Sequence, residues 1–348
     1  MNFWTILLAI FVLGVLITVH EFGHYISARL MKMNVYEFAI GMGPKIYSRQ
    51  GKHTLFSLRA IPMGGYCLYD KEETLLSGSS EFNTHPVWKR MIAIFSGPAM
   101  NALLAVVLVF FLLAAVGLPE TVSKVAGVTE GSPAAQAGLM VDDEVIAIDE
   151  NPVNGDAERL RQLMQDAGGN TMAVQIERDG VLLTLSIKPY HDTAENRWMV
   201  GIQLGQENRK VGVSEAVPAA FRTTWMIVSD TVRGLVSLIF KGQGASQVVG
   251  PVGITSIMAT AVTQPNGLAN LLLLVAAISV NLCVVNLIPF PALDGSKIVL
   301  LLVEGVRRKP IPMAKEGIIQ AIGMGVFILL FVFLVVYDII RLAGGGIG

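Results

Sequence analysis

Two histidines one helical turn apart, with a glutamate beside the first, stand out in Val19-His20-Glu21-Phe22-Gly23-His24 as the residues of this chain best suited to chemistry. On a helix, His20 and His24 fall on one face, close enough for both imidazoles to hold the same ion. Zn²⁺ suits such a pair. It lowers the pKa of a bound water from about 16 toward about 7, and Glu21 is placed to take the proton. The chemistry on offer is hydrolysis. So short a pattern also arises by chance, but here it sits at the end of an apolar run. There each ionisable group costs roughly 2.5–3.5 kcal/mol to insert, which a chain bears only for groups that it uses.

A catalytic zinc takes three protein ligands and keeps its fourth position open. No third histidine follows His24 at the spacing of the extended motif, so the ligand must come from elsewhere. Asn286-Leu287-Ile288-Pro289-Phe290-Pro291-Ala292-Leu293-Asp294-Gly295 offers Asp294, whose charge the metal would compensate. The plain alternative for Asp294 is a helix N-cap or an interfacial acid. Glu304 and Asp338 are weaker rivals, near the ends of apolar segments where a charge is cheap. Pro289 and Pro291 remove backbone donors and break the helix, which at membrane depth is tolerated only where backbone lines a cavity or is buried in protein. They are expected to open a niche for substrate, where the Asn286 carboxamide pairs with the backbone of an extended peptide.

The elements that position these groups follow from composition. Of 348 residues, 53% are hydrophobic and 15% charged, and mean hydropathy is positive, as in a membrane protein. A net charge of −1 gives no basic field for nucleic acid, and Cys67 and Cys283 do not make a disulfide scaffold. Segments 3–25, 91–116, 268–288 and 318–340 are each long enough to span about 30 Å of hydrocarbon. The first lacks the basic start and small-residue cleavage site of a secretory signal and is read as a retained helix. Basic residues from Arg29 to Arg90 and from Arg307 to Lys315 make the first and third loops cytoplasmic. The termini and the long middle segment then lie outside. At about 1.5 Å per residue, His20 and Asp294 come independently to similar depths near the cytoplasmic edge.

Between the first two spans, residues 35–66 alternate apolar and polar residues around Gly41, Gly43-Pro44, Pro62 and Gly64-Gly65, which reads as a small membrane-associated sheet. It either seals the bundle or offers an edge, with Gly64 and Gly65 near substrate, on which an unwound peptide pairs. In the second span, Ser96-Gly97-Pro98-Ala99-Met100-Asn101 supplies small residues for close helix packing. Asn101 is either part of that packing or a contact to the metal site.

Residues 118–190 have soluble composition. Gly131-Ser132-Pro133-Ala134 starts a short helix that Gly138 stops, 144–148 is a strand, 156–167 a second helix, and Asp179-Gly180 a hairpin turn. This order resembles a bacterial PDZ domain, through 131–139 and 143–149. Asp142 stands where that family usually has Gly, so a locally different turn is expected. In the linker at 191–267, apolar residues from Val217 to Ile239 recur at helical spacing while Arg222, Asp230 and Arg233 interrupt the other face. An amphipathic helix on the outer membrane surface is expected.

The fold class expected is therefore an α-helical polytopic membrane protein with four transmembrane helices, an inserted α+β PDZ-like domain and a small membrane-associated sheet. Its divisions are 1–117, 118–190, 191–267 and 268–348. His20-Glu21-Phe22-Gly23-His24, the 286–295 run, Gly250-Pro251-Val252-Gly253-Ile254 and the interposed domain together resemble the site-2 protease family of intramembrane zinc metalloproteases, nearest to its bacterial regulator-of-sigma-E type. That resemblance implies a bacterial inner-membrane enzyme that cuts single-span proteins already shortened outside, such as an anti-sigma factor or a remnant signal peptide. It also implies that the PDZ-like domain screens substrates by size or binds their C-termini. The competing reading is a membrane adaptor or metal carrier; an intact Glu21 argues against it, since a carrier needs the ligands and not the base.

Overall fold

The first apolar run folds as a single helix, α1 (Phe3–Leu30), whose buried side, Ala9, Val12, Leu16, His20, Gly23, His24 and Ser27, follows the helical repeat down one stripe. In this computed structural model, residues 3–70, 80–193, 196–244, 248–309 and 311–343 are described. The chain divides into two units, one of Met1–Leu113 with Val213–Gly348 and one of Ala114–Gly212.

In the first unit α1 is followed by two long strands, β1 (Glu37–Gln50) and β2 (Leu55–Leu68). Both bend, β1 with Gly41 and Gly43 at φ of 84° and 83°, which only glycine adopts without strain. As a result residues 37–40 lie between two parts of β2, beside 55–58 in one sense and 65–68 in the other, while 45–50 pair with 55–59. Two strands thus fill four places in the sheet, and 65–68 ends up at its edge.

Helix α2 (Val87–Val116) follows. It carries Pro98 in its interior and buries Gly97 and Asn101. In the second unit β3 (Leu118–Val128), the one-turn α3 (Pro133–Gln136), β4 (Glu144–Ile148), β5 (Asn151–Pro152), α4 (Ala157–Asp166), β6 (Met172–Arg178), β7 (Val181–Ile187), the hairpin β8 (Tyr190–Asp192) with β9 (Arg197–Met199), and β10 (Ile202–Arg209) come in order. The sheet runs β10-β3-β4-β6-β7, with β5 on β4. Val145, Ile148, Leu160, Met172 and Ile176 centre its core.

The expected local signals hold there. Ser132 Oγ accepts from Ala135 N at the start of α3, and Asp156 caps α4 by accepting from Glu158 N and Arg159 N. Asp179 and Gly180 both take positive φ in the β6–β7 turn. Asp142 adopts φ 75°, so the turn keeps the left-handed residue that glycine would supply; Lys124 holds its carboxylate at 3.0 Å. The unit extends past the expected boundary at 190 because β10 pairs along β3 from Ile202–Val128 to Arg209–Leu118.

Back in the first unit, α5 (Val213–Lys241) leads to α6 (Pro251–Thr263), α7 (Gly267–Asn286), α8 (Asp294–Arg307) and α9 (Met313–Ala343). The sequence places the α5 segment on the outer surface. In the structure α5 packs against α7, and the Thr231 hydroxyl donates to Asn281 Oδ1 at 2.9 Å. Asn281 lies about 21 Å along α7 from its start, so α5 follows the third apolar helix for part of its length. Among the described residues, α1, α2, α7 and 314–341 of α9 are long and apolar enough to cross a membrane.

Candidate metal centre

His20 and His24 are held on α1 by contacts from α2. His24 Nδ1 donates to the Ala93 carbonyl at 2.9 Å, which leaves the Nε2 lone pair free to bind an ion. The approach is close: a Cβ on Gly97 would lie 2.3 Å from His24 Nε2, and one on Gly23 2.3 Å from the Ser96 carbonyl. The two glycines let the helices touch backbone to backbone, so the His24 ring lies flat against α2. Ser96 Oγ donates to Gly23 O at 2.9 Å and fastens the crossing.

The second imidazole has a comparable support. Fully buried Asn101 brings Nδ2 to 3.4 Å from His20 Nδ1, while its Oδ1 is buried without a partner. A half-turn of this carboxamide, nearly neutral in shape, lets His20 Nδ1–H donate to Oδ1 and resolves both features. Ser279 Oγ donates to the Asn101 carbonyl at 2.8 Å and anchors that residue from α7. Both rings then present Nε2 to one point, with a backbone or amide acceptor fixing each tautomer, as metal-binding histidines require.

Asp294 completes the point from α8. Its Oδ2 lies 3.0 Å from His20 Nε2 and 3.3 Å from His24 Nε2, and the two Nε2 atoms are 3.1 Å apart. Three lone-pair atoms so close repel unless something positive joins them, and the Asp294 oxygen accepts no hydrogen bond despite being buried. A tetrahedral ion with bonds of about 2.0–2.2 Å has ligand–ligand edges of roughly 3.3–3.6 Å. The triad fits a small divalent cation after a shift of a few tenths of an ångström, and among the described residues it is the cluster able to hold one.

The approach to Asp294 shows what its loop is for. Ala292 takes φ 80°, and its N–H donates to Gln320 Oε1 at 2.6 Å; Gln320 Nε2 in turn donates to Ser296 Oγ at 3.0 Å. A Cβ on Gly295 would lie 2.3 Å from the carbonyls of Leu287 and Ile288. The break between α7 and α8 is therefore folded tightly on itself and clamped by α9.

A cavity of about 360 Å³ opens beside the triad. Glu21, Asn286, Gly64 and Gly65 line it, as the sequence suggests, and the 65–68 edge lies along it, with Gly65 packed on the Glu21 stem. Pro289 and Pro291 do not line it. Pro291 instead packs against Gly323 of α9, so it shapes the loop and leaves the lining to Asn286 and Ala292. The rival acids are engaged elsewhere. Glu304 pairs with the buried Arg90, and Asp338, 1% exposed, accepts from Gly250 N and Gly253 N at the start of α6. Sequence reading missed Gln320 and Lys297, and left Asn101 open. Lys297 was within reach, since it follows Asp294 by one helical turn; Gln320 carried no signal of its own.

The sequence profile described as peptidase family M50 matches residues 8–331. A protein of Fusobacterium nucleatum named as a zinc metalloprotease is 33% identical over 304 residues, covering 86% of this chain and 88% of that protein. Zinc metalloprotease RasP of Oceanobacillus iheyensis is 27% identical over 428 residues, covering 97% of this chain and 99% of the relative. Among solved structures, the PDZ domain of an SdrC-like protein from Listeria monocytogenes matches 24% of this chain and 87% of its own, at 21% identity and a TM-score of 0.22.

Proposed function

The chain belongs to peptidase family M50, the site-2 protease family, and on that premise we propose that it is an intramembrane zinc metalloprotease that hydrolyses peptide bonds within or near the transmembrane segment of single-span membrane proteins. The observation that carries this reading is the convergence of His20 Nε2, His24 Nε2 and Asp294 Oδ2 on one point of a cavity that Glu21 also lines. Bound Zn²⁺ supplies Lewis-acid polarisation of the scissile carbonyl and acidifies a water. His20, His24 and Asp294 hold it. Glu21 takes the proton of the attacking water and returns it to the leaving amine. The 65–68 edge and the Asn286 carboxamide hold the substrate backbone extended, since a helical peptide hides the amides that must be exposed.

Anti-sigma factors and remnant signal peptides are the substrate types this reading favours. The chain would lie in a bacterial inner membrane, with 114–212 outside as a PDZ-like filter and the metal near the cytoplasmic face. The basic loops on either side of the paired spans support that orientation. An epitope inserted near Asn151 should be labelled on cells whose outer permeability barrier has been opened and whose inner membrane is intact; protection until that membrane is broken would invert the orientation.

The catalytic reading is tested on purified protein with a single-span substrate. Wild type should carry stoichiometric Zn²⁺ and cut; His20→Ala, His24→Ala and Asp294→Ala should lose the metal. Glu21→Gln should keep it while the rate falls by about 10²–10⁴-fold. A Glu21→Gln variant that cuts like wild type removes Glu21 from proton transfer, and full zinc affinity in Asp294→Ala removes Asp294 from the ligands.

A further inference from the structure

One cation in the site is held by no hydrogen bond or ion pair among the described residues. Lys297 stands on α8 one turn beyond Asp294 and lines the cavity together with His20, Glu21 and His24. Its ammonium is close enough to Glu21 to act on it electrostatically. Arg90, by contrast, is paired with Glu304, and Arg59 with Glu37 at 2.9 Å. Among the described residues the Lys297 ammonium makes no hydrogen bond or ion pair. A cation that no short contact holds beside a cavity is available to a negative charge that arrives with the reaction.

Hydrolysis brings such a charge. Water oxygen bonds to the scissile carbon, the carbonyl π pair moves onto its oxygen, and the water proton passes to Glu21. The negative charge thus leaves Glu21 and appears on the carbonyl oxygen. When the carbon–nitrogen bond breaks, the oxygen pair reforms the carbonyl and the proton returns from Glu21 to the departing nitrogen. Other donors on the wall serve the oxygen less well. Tyr66 is engaged by Arg59, Asn101 is turned to His20, and Asn286 and Tyr69 are neutral. A charged donor forms a hydrogen bond roughly twice as strong as a neutral one.

Building on the protease reading above, we propose that Lys297 is a further catalytic residue, its ammonium hydrogen-bonding the scissile carbonyl oxygen as negative charge gathers there. It stabilises the transition state more than bound substrate, because the ground-state carbonyl carries only a partial charge. Its flexible stem lets it follow the charge from Glu21 to the oxygen.

The test uses the zinc-loaded full chain in detergent, a single-span substrate, and a phosphonate peptide whose tetrahedral oxygens copy the charged state. Lys297→Met should keep zinc and KM while kcat falls about 100-fold, and its phosphonate affinity should fall in parallel. Lys297→Arg should recover most of both. Wild-type kcat and phosphonate affinity in Lys297→Met overturn the proposal. So does loss of zinc in that variant with equal failure of Lys297→Arg, which would make Lys297 a support for Asp294. If wild type itself is no more active than Glu21→Gln, the protease reading fails, and this inference with it.

Discussion

The two units of this chain differ in how much polar side chain they bury. In 114–212 the interior is apolar, with Val145, Ile148, Leu160 and Ile176 at its centre, and charges lie mostly outside, as water-driven folding requires. In the helical unit Phe11, Phe111, Leu329 and Phe333 face outward, while His20, His24, Arg90, Asn101, Ser279 and Asp338 are buried. Lipid tails are as apolar as leucine, so there burial of apolar surface gives no drive and polar contacts between helices do more of the fastening. The useful distinction is between buried polar groups whose partners are complete and those whose partners are not. Arg90 with Glu304, and Asp338 with the α6 N-terminus, are satisfied and structural. The triad around Asp294 Oδ2 is unsatisfied, and so marks the place for an ion.

The contrast breaks most sharply at the wall behind the triad. Gly97→Ala places a Cβ where the His24 ring lies and should abolish zinc binding and hydrolysis together; Asn101→Ala should weaken zinc by about 10–100-fold with the bundle still folded. Zinc titration of both variants reads this directly. Wild-type zinc affinity in Gly97→Ala would mean that the helices part easily and that the satisfied groups do not fix the site.

A smaller effect, confined to stability, is expected in the other unit. Asp143 has no exposed side chain and receives Arg178 through both oxygens at 2.7 Å, with Met140 N at 2.7 Å. Burial alone pushes its carboxyl up, but the Arg178 hydrogen bonds and charge and the Met140 N–H outweigh burial and hold it below the usual carboxylate range. Such a group stabilises the fold above its unfolded value near 4 and loses that contribution as pH falls through the lower folded value. Asp143→Asn should cost about 3 kcal/mol in this unit at neutral pH. It should also flatten the acid end of the thermal unfolding profile and leave zinc and cleavage of a shortened substrate unchanged. Loss of zinc in this variant would show that the two units are not energetically separate.

Much of this was legible along the chain. Two histidines at helical spacing, the acid after Pro289 and Pro291, the apolar spans, and the caps at Ser132 and Asp156 are local signals, set by 3.6-residue periodicity and by turn chemistry within a few residues. The reach of β10 to β3 escaped because the hairpin of β8 and β9 intervenes, and pairing across so much chain leaves no local mark. The helix on which α5 packs left no local mark either. The contact between Thr231 and Asn281 depends on which helix is its neighbour.

The sequence by itself determined which atoms could bind an ion and take a proton, because those are properties of residue type and near spacing. Only the tertiary structure decided that Ala93 and Asn101 would turn both Nε2 atoms to one point, that Gly97 would make room for the His24 ring, and that Gln320 would clamp the loop delivering Asp294. These partners come from helices far apart in sequence, and their contacts exist only once close packing has fixed the distances between backbones.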